Sequence, residues 1–129
     1  MNSKILRESS LIKIKIFFGN HRIIRWKPNE KTGTIVAGGN GQGDRIDQFE
    51  YIKDVIIDEQ NHSLIIADTV NRRVVRWINQ SQQEILVENM ACEGLTMDRF
   101  GFLYVSDEWK NEVRRWGKLE KKNKTKKGQ

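Results

Sequence analysis

The residues able to do chemistry in this sequence are few and regularly placed. The 129-residue chain holds two histidines, His21 and His62, and one cysteine, Cys92. A metal centre needs several His, Cys or carboxylate ligands at short fixed spacings, and a nucleophilic site needs a nucleophile beside a base. Neither pattern is found, so no catalytic residue, metal ligand or cofactor is assigned and a non-enzymatic role is expected. Both histidines fall in predicted turns, and the lone cysteine, unable to form an internal disulfide, is expected as a small buried thiol. What recurs is a set of charged and aromatic stations. One stretch carries Asp58, Asp68, Asn71, Arg73 and Trp77, a later one Asp98, Asp107 and Trp116, and an earlier one Trp26. A carboxylate ahead of a tight turn accepts the turn's N–H bonds or pairs with an arginine. Asp58, Asp68, Asp98 and Asp107 are therefore expected to be structural, and the three recurring tryptophans to be packing residues. Arg25, Arg76 and Arg115, repeated along the chain, and Trp109, able to stack on a base, form the candidate binding set.

These stations sit on short strands. Residues 54–77 read as three in a row: Val55-Ile56-Ile57-Asp58, Leu64-Ile65-Ile66-Ala67-Asp68 and Arg73-Val74-Val75-Arg76-Trp77, separated by polar turns. β-Branched and aromatic residues bounded by Asn, Asp and Ser are the strand-and-turn signal. Upstream, residues 11–18 alternate isoleucines with Lys13 and Lys15, residues 22–26 form a second strand, and residues 32–37 a third. Downstream, strands are expected at 83–87, 94–98, 102–107 and 112–116, with 88–93 as a link. Residues 1–10 give no element. The glycine-containing loop from Asn40 to Lys53 has strands on both flanks, whereas phosphate cradles open a helix. Its glycines are read as suppliers of positive φ, with Phe49 and Ile52 tucked into the core.

Three segments superpose without gaps: Asn20-His21-Arg22-Ile23-Ile24-Arg25-Trp26, Asn71-Arg72-Arg73-Val74-Val75-Arg76-Trp77 and Lys110-Asn111-Glu112-Val113-Arg114-Arg115-Trp116. Ile66-Ala67-Asp68 matches Val105-Ser106-Asp107, and Ile57-Asp58 matches Met97-Asp98. On the same alignment Phe17 stands where the other copies have Asp68 and Asp107, and Glu112 where the middle copy has Arg73. A unit of about four strands and 40–50 residues is the size of a propeller blade. The run Val36-Ala37-Gly38-Gly39-Asn40-Gly41-Gln42-Gly43, followed by Gln48-Phe49 and the strands ending at Trp77, resembles the NHL repeat. That resemblance covers residues 11–116 and implies an all-β fold. The expected architecture is an incomplete NHL-type β-propeller, with about ten antiparallel strands in four-stranded blades amounting to about two and a half blades. The first blade would lack its innermost strand and the last its outermost.

The resemblance further implies a protein-interaction module, with RNA binding through a basic face as the alternative. NHL propellers also follow RING and B-box modules in ubiquitin ligases. With one cysteine this chain has no RING, so it would supply substrate recognition at most. The zinc-and-tyrosine constellation of the amidating lyases, which share the fold, has no counterpart here. Open blade faces would favour self-association.

The net charge of +6 is unevenly placed: residues 118–129 carry six lysines against one glutamate, or +5, which leaves the rest nearly neutral. The expected organisation is an N-terminal segment over 1–10, the repeat region over 11–117 and a disordered Lys-rich tail over 118–129. Such a tail binds phosphates weakly and without sequence preference. Arg7, Glu8, Lys13 and Lys15 interrupt what a signal peptide would need as an apolar run, and no apolar stretch reaches the roughly 18 residues of a spanning helix. A cytoplasmic chain, or a piece of a longer propeller, is expected, without a membrane partner.

Overall fold

The computed structural model describes residues 2–7, 13–27 and 29–118. Among them it is all-β, with eleven strands: β1 (Asn2–Arg7), β2 (Lys13–Gly19), β3 (Arg22–Trp26), β4 (Thr34–Gly38), β5 (Ile52–Asp58), β6 (Ser63–Asp68), β7 (Arg73–Asn79), β8 (Gln82–Glu88), β9 (Cys92–Met97), β10 (Phe102–Asp107) and β11 (Glu112–Lys118). They make three antiparallel sheets, each a run of consecutive strands: β1–β4, β5–β8 and β9–β11. No helix among these residues is long and apolar enough to cross a membrane.

The sheets stack face to face through two apolar layers. Ile23, Phe18 and Ala37 of the first sheet meet Val55, Ile66 and Trp77 of the second, with Phe49 between them. The opposite face of the second sheet sends Ile65, Ala67, Val74 and Val87 against Leu95, Leu103 and Val105 of the third. Successive strand residues point to opposite faces. A sheet covered on both sides therefore needs uninterrupted apolar runs, which is why Leu64-Ile65-Ile66-Ala67 shows no polar alternation. Three stacked sheets do not close into a ring.

Bulges adjust the register. Lys53 is the extra residue between the pairs Ile52–Asp68 and Asp54–Ala67, and Leu86 the extra one between Val74–Val87 and Val75–Ile85. The second bulge lets both Leu86 and Val87 face the third sheet, in keeping with the local twist that bulges impose. Turns repeat as well. The last residue before β3, β7 and β11 has positive φ each time: His21 at 62°, Arg72 at 53° and Asn111 at 53°. Gly39 N–H donates to His21 C=O at 3.4 Å and Met90 N–H to Arg72 C=O at 3.3 Å, so the same crossing closes the first and second sheets. Gly38 has a φ of 73°, and a Cβ there would stand 2.6 Å from the His21 carbonyl oxygen, so glycine is required.

Four expectations change. Residues 2–7, to which the sequence assigned no element, form β1, which completes the first sheet at its β2 edge. Strand β9 opens at Cys92, inside the expected link. Strand β11 runs through Lys118, which had been placed in the tail; the disordered state expected of the remaining tail falls on residues 119–129, outside the described residues. Finally, Asp68 pairs with Arg73 and Asp107 with Glu112, but Arg22 pairs with Gly19. The first copy's turn is two residues, Asn20 and His21, both with positive φ, the conformation that suits the tightest hairpin. The other two turns have four residues. The counterpart of Asp68 is therefore Gly19 and not Phe17.

Candidate functional site

The densest polar constellation surrounds Asp68 at the end of β6. Its side chain is fully buried, and Oδ1 accepts the N–H groups of Glu50 and Tyr51 at 3.0 and 3.2 Å. Oδ2 accepts from Asn71 Nδ2 at 2.8 Å and Arg73 Nε at 3.1 Å. Arg73 then donates outward to the carbonyls of Asp44, Arg45 and Gln48 at 2.9, 2.8 and 2.8 Å, and Asn71 to that of Gly43 at 2.9 Å. Asp68, Asn71 and Arg73 therefore act as one clamp that holds the glycine-rich loop. A buried charge pair is tolerable when each remaining donor and acceptor finds a partner, and here the loop carbonyls provide them.

The clamp is complete only in the middle copy. Asp107 caps its own turn, its Oδ1 accepting from Trp109 and Lys110 N–H at 3.0 and 3.2 Å, but Glu112 and Lys110 replace the arginine and asparagine. In the first copy Arg22 is present opposite Gly19, and its buried Nε finds no acceptor among the described residues. The backbone part of the motif persists: Thr69 N–H donates to Tyr51 C=O at 2.9 Å, and Glu108 N–H to Ala91 C=O at 3.0 Å.

The other acids close turns. Asp58, 3% exposed, accepts from Asn61 N–H and Nδ2 at 3.3 and 2.7 Å and faces Arg76 at 3.8 Å. Asp98 accepts from Phe100 and Phe102 N–H at 2.9 and 3.0 Å and from the Tyr104 hydroxyl at 3.0 Å. Burial works to raise its pKa, but the bonds from Phe102 N–H, Tyr104 and Phe100 N–H together hold it below the usual carboxylate value.

Two of the three recurring tryptophans, Trp77 and Trp116, face the preceding sheet. Trp77, 1% exposed, packs against the first sheet with its ring 5.4 Å from that of Phe49. Trp116 packs toward the second sheet, its Nε1 donating at 2.8 Å to the carbonyl of Leu86, the bulged residue of β8. Trp26 has no described sheet on its side and is 37% exposed. Its indole donates to Glu30 C=O at 3.0 Å and its ring covers Gly33.

The candidate binding residues do not form one surface. Arg76 is 4% exposed, bound to Glu84 at 3.1 Å and facing Asp58, because the third sheet covers that face. It is thereby removed from the set. Arg25 is half-buried in a cleft between the first and second sheets. Arg115 is exposed, its guanidinium 4.8 Å from the Phe102 ring centre, and Trp109, 63% exposed, carries Arg72 at 5.3 Å. Cys92 is buried, and burial, with the Asp107 charge second, pushes its thiol up to about 12. Among the described residues no group of three or more His, Cys, Asp or Glu side chains could hold a metal ion.

One set of contacts was missed in the sequence. Asp54 Oδ2 accepts Leu95 N–H at 2.9 Å, tying β5 to β9, and Lys53 Nζ meets Glu93 Oε1 at 3.1 Å. Lys53 and Glu93 occupy matching places in the repeat; extending the alignment upstream to Ile52-Lys53-Asp54-Val55 and Cys92-Glu93-Gly94-Leu95 shows the opposite charges. The neighbouring Glu108 first, and Lys53 second, lower the Glu93 pKa, while Glu93 raises that of Glu108. No protein-family model matches the chain and no curated protein matches it, so its repeat character rests on the recurring residues, turns and hydrogen bonds described above.

Proposed function

We propose that this chain is a non-enzymatic protein-interaction module built of NHL-type blades, which takes an extended segment of a partner protein along the edge of β11. One observation carries the reading. Among the described residues the first and second sheets have four strands, the third has three, and β11 forms its outer edge. In the second sheet the corresponding edge, that of β7, is filled by β8, with Glu88 opposite Arg73, Val87 opposite Val74 and Glu84 opposite Arg76. The matching residues of β11 are Glu112, Val113 and Arg115. Val113 is 68% exposed where Val74 is 0% exposed. An open strand edge offers main-chain hydrogen bonds to an added strand, and alternate side chains then select its sequence.

By the template of β8, the fitting segment is β-branched at its centre, acidic opposite Arg115 and basic opposite Glu112. The stacked sheets, the face-covering tryptophans and the recurring turns support NHL-type blades as the scaffold. RNA binding is less favoured, since Arg76 lies buried in ion pairs and Glu93, Glu108 and Glu112 stand near the same end of the third sheet.

The test is an NMR titration of the full chain with two synthetic heptapeptides. One has the sequence of Gln82–Glu88, and the other carries lysine in place of Glu88. Shifts centred on the β11 amides, with the lysine peptide tighter by up to about fivefold, support the reading. Absence of β11 shifts with both peptides refutes edge binding. Mixed RNA oligonucleotides provide the competing arm: RNA binding that survives removal of residues 119–129 would favour the RNA alternative.

A further inference from the structure

We infer that the partner at the β11 edge is a second copy of this chain, joined by antiparallel pairing of β11 with its own copy about a twofold axis. This rests on the reading of β11 as an open binding edge and names its occupant. The charge rows across the sheets carry it. In the second sheet one row runs Asp68, Arg73, Glu88 across β6, β7 and β8, so acid, base and acid alternate. In the third sheet the matching row begins with Asp107 and Glu112 across β10 and β11, and there it stops. Two carboxylates directly opposite repel each other. The next place in that row calls for a cation.

Arg114 of a second chain is the cation that fits. Its own row begins with Val105 on β10 and offers it no acid. Among the described residues neither Glu112 nor Arg114 forms an ion pair, and both are exposed. The segment Glu112-Val113-Arg114, read in the reverse direction, is its own complement. A twofold axis through Val113, normal to the sheet, sets each Glu112 opposite the other chain's Arg114 and each Val113 opposite its counterpart. Residues two apart on a strand share a face, so each pair meets on one side of the joined sheet. Val113, 68% exposed, thereby gains the β-branched neighbour that Val87 gives Val74 in the second sheet. Asn111 falls opposite Arg115.

The fold leaves room for this joint. Every residue from Asn111 to Arg115 is exposed. The second and third sheets come closest where β5 and β6 lie against β9, the strand of the third sheet farthest from the joint. Pairing would make one sheet of six strands, three from each chain. Because the same edge is used on both sides, assembly stops at two copies.

The test is sedimentation equilibrium of the full chain at up to about 500 µM, since so small an interface associates weakly. A monomer–dimer equilibrium is expected, with no larger species. Arg114→Glu sets like charges opposite at both charge pairs and is expected to weaken the dimer at least about tenfold. Adding Glu112→Arg to it inverts both charges and restores opposite pairs, so association is expected to return to within about threefold of the unaltered chain. Glu112→Arg alone gives each chain its own cation beside Asp107 and is expected to favour the monomer. The inference is overturned if the chain stays monomeric throughout, if Arg114→Glu associates as tightly as the unaltered chain, or if the double variant is as weak as the single one. Dilution of the ¹⁵N-labelled unaltered chain is decisive even if a variant does not fold: the β11 amides are expected to shift most, and association that leaves them in place overturns the inference. A monomeric chain whose β11 amides still respond to the heptapeptides removes the second copy as occupant while the edge reading stands. Silence in both experiments defeats both.

Discussion

Asp68 shows most clearly what a single side chain does in this molecule. It neutralises Arg73 in the interior and satisfies two backbone N–H groups of the loop strand, while Arg73 holds three loop carbonyls. Removing the acid leaves a buried guanidinium without its counter-charge, which costs about 3–5 kcal/mol. Asp68→Ala is therefore expected to lower the unfolding free energy by that amount in a urea titration. It is also expected to open the loop to trypsin at Arg45, within the segment the clamp holds. Asp107→Ala should cost less, since Asp107 caps its turn without an arginine partner. The residue types at these stations were readable in the sequence because a carboxylate before a turn has a small set of roles. What could not be read was burial. Arg25, Arg76 and Arg115 occupy the same place in three copies, yet one lines a cleft, one is sealed in ion pairs and one is exposed. Their fates are set by whether another sheet covers that face, which no local pattern encodes.

At the scale of the strand, period-two alternation and turn residues located most elements, and β3 and β10 were bounded as expected. β1 was missed because Asn2-Ser3-Lys4-Ile5-Leu6-Arg7 has no alternation, and its pairing with β2 is a tertiary fact. The mismatch of Phe17 with Asp68 has a related cause. A two-residue slide along a strand preserves the face on which every side chain lies. The hydrophobic pattern therefore cannot detect it, and only the hydrogen-bonded partner, Gly19, reveals it. The pairing of Asp107 with Glu112 sets two carboxylates across β10 and β11 where the second sheet has Asp68 across from Arg73. Like charges directly opposite are destabilising, by roughly 0.2–1 kcal/mol. Glu112→Arg is thus expected to raise stability by about 0.5–1 kcal/mol, seen as a higher denaturation midpoint at neutral pH. The gain should shrink in high salt because Glu112 is exposed.

For the molecule as a whole, an all-β repeat was legible because three copies of one pattern share their apolar positions. The order of the sheets and the direction each tryptophan faces came only from the stacking. That stacking is unequal: among the described residues the second sheet has two covered faces, whereas each outer sheet has one. It has a mechanical consequence, because every sheet is a meander whose neighbours in space are neighbours in the chain. Tension applied between residues 2 and 118 would load each hairpin from its open end, one hydrogen bond after another. Rungs that carry load singly give way at low force. Single-molecule stretching is expected to release length in stages, the outer sheets peeling first and β5–β8 yielding last. A single all-at-once rupture at high force would mean that the three layers share the load as one body.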